Sequence, residues 1–174
     1  MAELKLIVPT MDYRDQILAY KDEFIENGDS LDGTAGLAKT DALEDWFAAL
    51  QDNASEKTVR PGLVPASTFL GIRVQDNRIM GMIDIRRRLN EYLLEFGGNI
   101  GYSVRKSERE KGYAKEMLQL ALQKCKELHL AKVLITCNKS NTASAKTIIG
   151  NGGILENEVP EGDGITQRYW IELS

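Results

Sequence analysis

Two cysteines and a single histidine are all that the 174-residue sequence offers of the residue types that build most metal centres and redox pairs. Cys125 lies in a helical pattern and Cys137 ends a strand pattern, without metal or redox spacing, so each reads as a buried free thiol. His129 sits near the end of the longest helical pattern, where contact with helix carbonyls is expected rather than catalysis. No apolar run approaches the length needed to cross a bilayer, and Met1 to Lys5 has no basic head followed by an apolar stretch. A cytoplasmic protein without a membrane partner is therefore expected. Basic charge is not in excess either: 22 Lys and Arg stand against 26 Asp and Glu, a net charge of -4, which argues against a nucleic-acid partner. Internal repeats and low-complexity segments are lacking. So are the Gly-x-x-x-x-Gly-Lys-Ser/Thr of a P-loop and a Gly-x-Gly-x-x-Gly between strand and helix.

What is present is ordinary for a globular chain, 43% hydrophobic and 28% charged, and its length suits one domain over residues 1–174. Leu4 to Val8 reads as a short strand, and Arg14 to Asn27 as a helix closed by Gly28. Asp29 to Lys39, rich in Gly and Asp, reads as a mobile surface loop that buries little. Asp41 to Gln51 is a second helix with Asp41 as its cap, and Asn53 to Pro65 a loop. Three strands follow at Thr68 to Val74, Ile79 to Arg87 and Asn99 to Val104, with a turn at Asp76-Asn77 and a bulge at Gly97-Gly98. The strongest periodicity joins Ala114, Met117, Leu118, Ala121, Leu122, Cys125 and Leu128 in an amphipathic helix. A buried strand from Lys132 to Cys137, a short helix from Thr142 to Gly150, and strands at Ile154 to Val159 and Ile165 to Leu173 complete the chain.

The stretch from Val104 to Ala114 lies between a strand and the amphipathic helix. A helix opens with backbone N–H groups that have no intrahelical acceptor, and its dipole adds partial positive charge, so a phosphate is a natural ligand there. Gly112 permits close approach, Ala114 is small, and Arg105, Lys106, Arg109 and Lys111 add cationic charge. On physical grounds alone, a solvated basic turn with no ligand fits these residues equally well.

Arg109-Glu110-Lys111-Gly112-Tyr113-Ala114 resembles the Arg/Gln-x-x-Gly-x-Gly/Ala signature of the GNAT acetyltransferases, and the element order over most of the chain is similar to theirs. The resemblance implies an α/β (α+β) fold, with a mixed, mostly antiparallel twisted sheet of about seven strands, about four flanking helices, and central parallel strands that splay apart. It also implies acetyl-CoA as cosubstrate, without a metal. The backbone from Arg109 through Glu110, Lys111, Gly112 and Tyr113 to Ala114 would hold the pyrophosphate. Ser103 and Val104 would pair with the pantetheine arm, and Asn138 and Asn141 would hydrogen-bond it, while Asn141 also suits a helix cap. Lys146 would lie near an outer phosphate or simply in solvent.

Two positions depart from the family. The tyrosine that many members place seven residues beyond the asparagine is Ile148 here, which cannot donate a proton. Where a Glu or His commonly serves as base, this chain has Gly98-Asn99, with Glu95 the nearest carboxylate. Glu95, Asn99 and Tyr102 are therefore the catalytic candidates, with Tyr113 and Tyr169 as other phenols. Glu110 stands where a glycine is common, and its charge should point outward. The expected reaction is direct attack of a primary amine, on a small molecule or a peptide, upon the thioester. A non-catalytic acyl-CoA-binding module and a partner-binding domain using Trp46, Phe47 and Trp170 are the alternatives, and a homodimer is compatible with the exposed final strands.

Overall fold

The computed structural model describes residues 3–173. In chain order the elements are β1 (Leu4–Ile7), α1 (Arg14–Asn27), α2 (Leu43–Asn53), β2 (Ala66–Arg73), β3 (Arg78–Arg86), β4 (Ile100–Val104), α3 (Tyr113–Glu127), β5 (Lys132–Asn138), α4 (Thr142–Gly150), β6 (Ile154–Glu161) and β7 (Gly164–Glu172). Short 3-10 turns and one π-helical turn over Leu93–Gly97 fill the connections. The seven strands form two antiparallel sheets, β1-β2-β3-β4 and β5-β7-β6.

β3 explains why the core has two halves. Every residue from Ile79 to Ile85 is buried, so the alternation along this strand separates two covered faces rather than a wet face from a dry one. Met80, Ile83 and Ile85 pack with Met117, Leu118 and Ala121 of α3. Ile79 and Met82 pack on the other side with Ile17, Tyr20 and Phe24 of α1 and Trp46 of α2. Each such fully buried large side chain contributes about 1.5–3 kcal/mol. Gly71 and Gly81 make the room for Met117, because a Cβ on Gly71 would stand 2.8 Å from its sulfur.

α1 ends as its sequence predicts. Gly28 adopts φ +66°, its N–H donates to the Ile25 carbonyl, and the Asp29 N–H donates to Phe24 at 2.9 Å. Three local expectations change. Asp41 is not a cap, since α2 begins at Leu43 behind Ala42, whose carbonyl accepts from Asp45 and Trp46 instead. Gly97-Gly98 is not a bulge, because Gly97 closes the π-helical turn and Gly98, at φ +68°, brings the backbone against Leu134. The Asp29 to Lys39 segment is no loose surface loop: Thr34 and Leu37 are each 1% exposed, and the Trp46 indole donates to the Thr34 carbonyl at 2.7 Å. Gly33, at φ +70°, lies flat on β4, where a Cβ would stand 2.3 Å from the Gly101 carbonyl oxygen. Backbone surfaces do much of that packing, which is why no apolar period announces it.

The sheets meet at Asn99. Its N–H donates to the Leu134 carbonyl at 2.7 Å, its Oδ1 accepts the Leu134 N–H at 2.8 Å, and its Nδ2 donates to the Arg86 carbonyl at 3.0 Å. Beyond this peg β4 and β5 belong to different sheets, and α3 crosses between them, the connection that parallel neighbours need.

Candidate functional site

At the far end of β4 the chain turns away from β3. The Arg105 N–H still pairs inward with the Met80 carbonyl, so by strand alternation the Val104 carbonyl faces the gap between the sheets. A 3-10 turn over Lys106–Glu108 follows, then two left-handed residues, Glu110 at φ +66° and Gly112 at φ +86°. Gly112 is the N-cap of α3 and supplies no side-chain cap. Among the described residues, no hydrogen-bond acceptor meets the backbone N–H groups of Glu110, Lys111, Gly112, Tyr113, Ala114 or Lys115; the first α3-type bond is Glu116 N–H to Gly112. The Arg109 N–H is taken by the Lys106 carbonyl. No atom lies within 4 Å of where a Gly112 Cβ would be, so the approach to these amides is open. Six free donors at the positive end of a 15-residue helix form an anion-binding surface.

Three of the four cations around the turn are occupied by the protein itself, while Lys106 is exposed. Arg105 is buried, donating to Glu23 at 3.1 Å and to the Ile79 carbonyl at 2.9 Å. Arg109 donates from Nε to the Val104 carbonyl at 2.8 Å, with Nη2 3.1 Å from Asp29. Lys111 donates to Glu108 at 2.8 Å, and Arg73 and Arg78 reach the same buried carboxylate at 3.4 and 3.5 Å. The Lys111 hydrogen bond, backed by the two guanidinium groups, holds Glu108 below the usual carboxylate range. Tyr113 points into the core, its hydroxyl accepting from Arg73 at 3.2 Å. The Glu110 side chain is exposed, turned outward as its charge requires, and its left-handed backbone accounts for glycine suiting that position better.

On the gap side of β4, the Tyr102 hydroxyl shares a 2.8 Å hydrogen bond with the Ser144 hydroxyl on the first turn of α4. Burial pushes the Tyr102 phenol up to about 12, partly offset by that bond. Cys137, at the end of β5, also lies beside Ser144, and burial raises its thiol above the ordinary value. Ile148, one helical turn after Ser144, is fully buried in the core. Ser144, one turn before Ile148 on the same helix face, is the α4 hydroxyl that meets Tyr102, a residue not anticipated from the sequence; its spacing of four from position 148 was the available signal. Tyr169 is buried and donates to Gln167 at 2.9 Å. Ser103 is buried, its hydroxyl is engaged by Tyr20 at 2.9 Å, and by the same alternation its backbone faces Met82 of β3, so of the two β4 residues expected to meet the pantetheine arm only Val104 presents its backbone to the gap.

The remaining candidates divide. Asn141 caps α4, accepting the Ser144 N–H at 3.1 Å and keeping its Nδ2 donors. Asn138 uses its oxygen on Ser140, at 3.0 Å to the N–H and 2.7 Å to the hydroxyl. Lys146 is exposed. Glu95 projects from the π-helical turn into solvent. Asn99, expected near the chemistry, is buried with both amide atoms bonded to backbone, which makes it the peg between the sheets. Asp84 was not anticipated. It is 5% exposed on β3 opposite Gly101, accepts from Thr68 at 2.9 Å and lies 3.4 Å from Arg86; burial raises its carboxyl. Among the described residues no cluster of three His, Cys, Asp or Glu could hold a metal ion, and no helix is long and apolar enough to cross a membrane.

The acetyltransferase (GNAT) domain model matches residues 21–153, well over half of the chain, from within α1 through α4. The chain belongs to the GNAT acetyltransferases. No curated protein matches it. Among solved structures, the GNAT fold recurs over the whole chain in the Salmonella typhimurium acetyl transferase that modifies the N-terminal serine of ribosomal protein L7/L12. There the TM-score is 0.68 at 16% identity, covering 100% of this chain and 97% of that one. A chimera of the Vibrio cholerae spermidine N-acetyltransferase SpeG gives 0.68 at 16%, covering 99% and 96%. The microcin C7 self-immunity acetyltransferase, in complex with acetyl-CoA and AMP, gives 0.65 at 18%, covering 99% and 93%. At these identities the likeness is one of fold, which agrees with the seven strands and the splay at Asn99.

Proposed function

We propose that this GNAT domain transfers the acetyl group of acetyl-CoA to a primary amine, with the pyrophosphate on the amides of residues 110–115 and the pantetheine arm along the β4 edge. The run of free amides carries the reading: six donors without acceptors, at the N-terminus of a long helix beside a gap between strands, suit a diphosphate whose extended tail enters that gap. The residues fit the cosubstrate, which supplies an activated thioester. Transfer forms a C–N bond, breaks a C–S bond and moves one proton off the amine and one onto the thiolate.

Tyr102 and Ser144 are the pair placed to supply the second proton. A phenol held up to about 12 remains protonated at neutral pH, and Ser144 links it to the gap. Asn141 Nδ2 and Asn138 Nδ2 are available to the amides of the arm. Proton removal from the amine falls to water or to Glu95, the carboxylate nearest in sequence to the start of β4. A non-catalytic acyl-CoA-binding module is the second reading, favoured by Ile148 being buried where many members carry a tyrosine.

A thermal shift with acetyl-CoA combined with release of CoA thiol across a panel of amines tests both. Stabilisation with turnover on at least one amine supports transfer, whereas stabilisation with no thiol release from any amine points to the binding module. An unshifted melting temperature at millimolar acetyl-CoA contradicts the site itself.

A further inference from the structure

Arg109 immediately precedes the free amides in the chain, and the ordinary expectation for a guanidinium beside a diphosphate is a charge contact. The structure gives it other work. Its Nε donates to the Val104 carbonyl at 2.8 Å, its Nη2 lies 3.1 Å from Asp29 Oδ2, and its guanidinium carbon sits 5.7 Å above the Phe24 ring. Asp29 is itself fixed, since it is the residue whose N–H closes the end of α1 on the Phe24 carbonyl. A side chain held by a strand carbonyl, a carboxylate and a ring on α1 ties three elements together at the root of the anion-binding turn.

We infer that Arg109 is a positioning residue: it sets the direction in which the 110–115 amides point by clamping the turn to β4 and α1, and its charge is not what holds the phosphates. The surroundings agree, because Arg105 and Lys111 are likewise spent on Glu23 and Glu108. The grip is left to the backbone. Val104 makes the clamp necessary, for its carbonyl faces the gap and, among the described residues, no strand N–H donates to it; the guanidinium N–H removes that deficit.

The clamp and the charge contact predict opposite substitutions to be tolerated. Gln carries an amide nitrogen at the same distance along the side chain as Arg Nε, so Arg109→Gln restores the donor to Val104 without the charge. Arg109→Lys keeps the charge but puts a methylene where Nε was. The inference rests on the acetyl-CoA reading for its ligand and has a ligand-free readout besides. In acetyl-CoA titrations at low and moderate salt, the Gln variant should bind within about threefold of wild type with an unchanged salt dependence, and the Lys variant about tenfold more weakly. Without ligand, amide hydrogen exchange at residues 107–109, whose N–H groups are bonded, should quicken in the Lys variant and not in the Gln variant.

A Lys variant that binds like wild type while the Gln variant loses tenfold would return Arg109 to a phosphate contact. Equal exchange in all three proteins would overturn the clamp whatever the titrations give. If the wild type fails to bind acetyl-CoA yet the exchange pattern holds, the clamp stands and the cosubstrate reading falls.

Discussion

Two helices of this protein follow the strands that flank the same gap, α3 after β4 and α4 after β5, and their first turns are built in opposite ways. α4 satisfies itself: Asn141 Oδ1 takes the Ser144 N–H, the Asn141 carbonyl takes Ala145, and Ser140 takes Thr142. α3 begins at a glycine with no side-chain acceptor and leaves six successive amides open. A capped N-terminus is a structural device, stabilised from within by about 1 kcal/mol. An uncapped one forgoes that contribution and keeps its donors for something else. On the proposed reading the work of binding falls to the helix start that is locally the less satisfied, while the neighbouring one supports it.

The largest effect should come from closing the open turn. Gly112→Asp places a carboxylate in the space in front of the amides, where it supplies the missing cap and repels a diphosphate at once. Acetyl-CoA affinity should fall by about 100-fold, near 2.7 kcal/mol. Folding should survive, because nothing crowds the new side chain and the left-handed backbone costs about 1–2 kcal/mol, partly offset by the helix dipole. Titration calorimetry beside circular dichroism reads both; a folded variant with undiminished affinity would erase the distinction between the two turns.

An intermediate effect tests the other side of the comparison. Asn141→Ala should lower stability in urea unfolding by about 1 kcal/mol, whereas Asn141→Ser, which can still accept the Ser144 N–H, should recover most of it. The Ser variant also removes Nδ2, so any loss of acetyl-CoA affinity it shows isolates a contact to the arm from the cap. An Ala variant as stable as wild type would mean that α4 does not depend on its cap.

Most of this architecture is legible in the sequence where periodicity and punctuation act locally. The apolar spacing of Met117, Leu118, Ala121 and Cys125 fixes α3, and Asn27-Gly28 fixes the end of α1. The seven strands and the family could be anticipated from element order and six residues of signature. What could not be read depends on contacts between distant segments. The packing of Gly33 on Gly101 is backbone against backbone and leaves no apolar pattern. Asn99 looks like a polar residue near the chemistry until Leu134, 35 positions away, takes up its amide. Ser144 becomes visible only once Ile148 proves to be core, and the four basic residues of the turn look like a phosphate site until Glu23, Asp29 and Glu108 claim three of them.

The smallest expected effect concerns that last carboxylate, and it separates the two turns by pH. Glu108 collects Lys111, Arg73 and Arg78, and its folded-state pKa lies below the unfolded value, so its contribution is complete above the ordinary carboxylate range. That contribution should be lost as pH falls through the lowered folded value, when the protonated group releases its cations and loosens the α3 turn. The α4 turn, capped by an amide that does not titrate in this range, should be indifferent. Glu108→Gln should reproduce the acidic state at neutral pH, with a loss under about 1 kcal/mol because Lys111 is half exposed and solvent screens the cluster. Hydrogen exchange followed from neutral pH down through the acid range below the ordinary carboxylate values, after correction for the intrinsic rate, should show protection at residues 107–109 declining in wild type and already low at neutral pH in the Gln variant, with residues 142–145 unchanged in both. A parallel decline at the two helix starts would mean that acid acts on the domain as a whole, and Glu108 would then have no particular hold on the anion-binding turn.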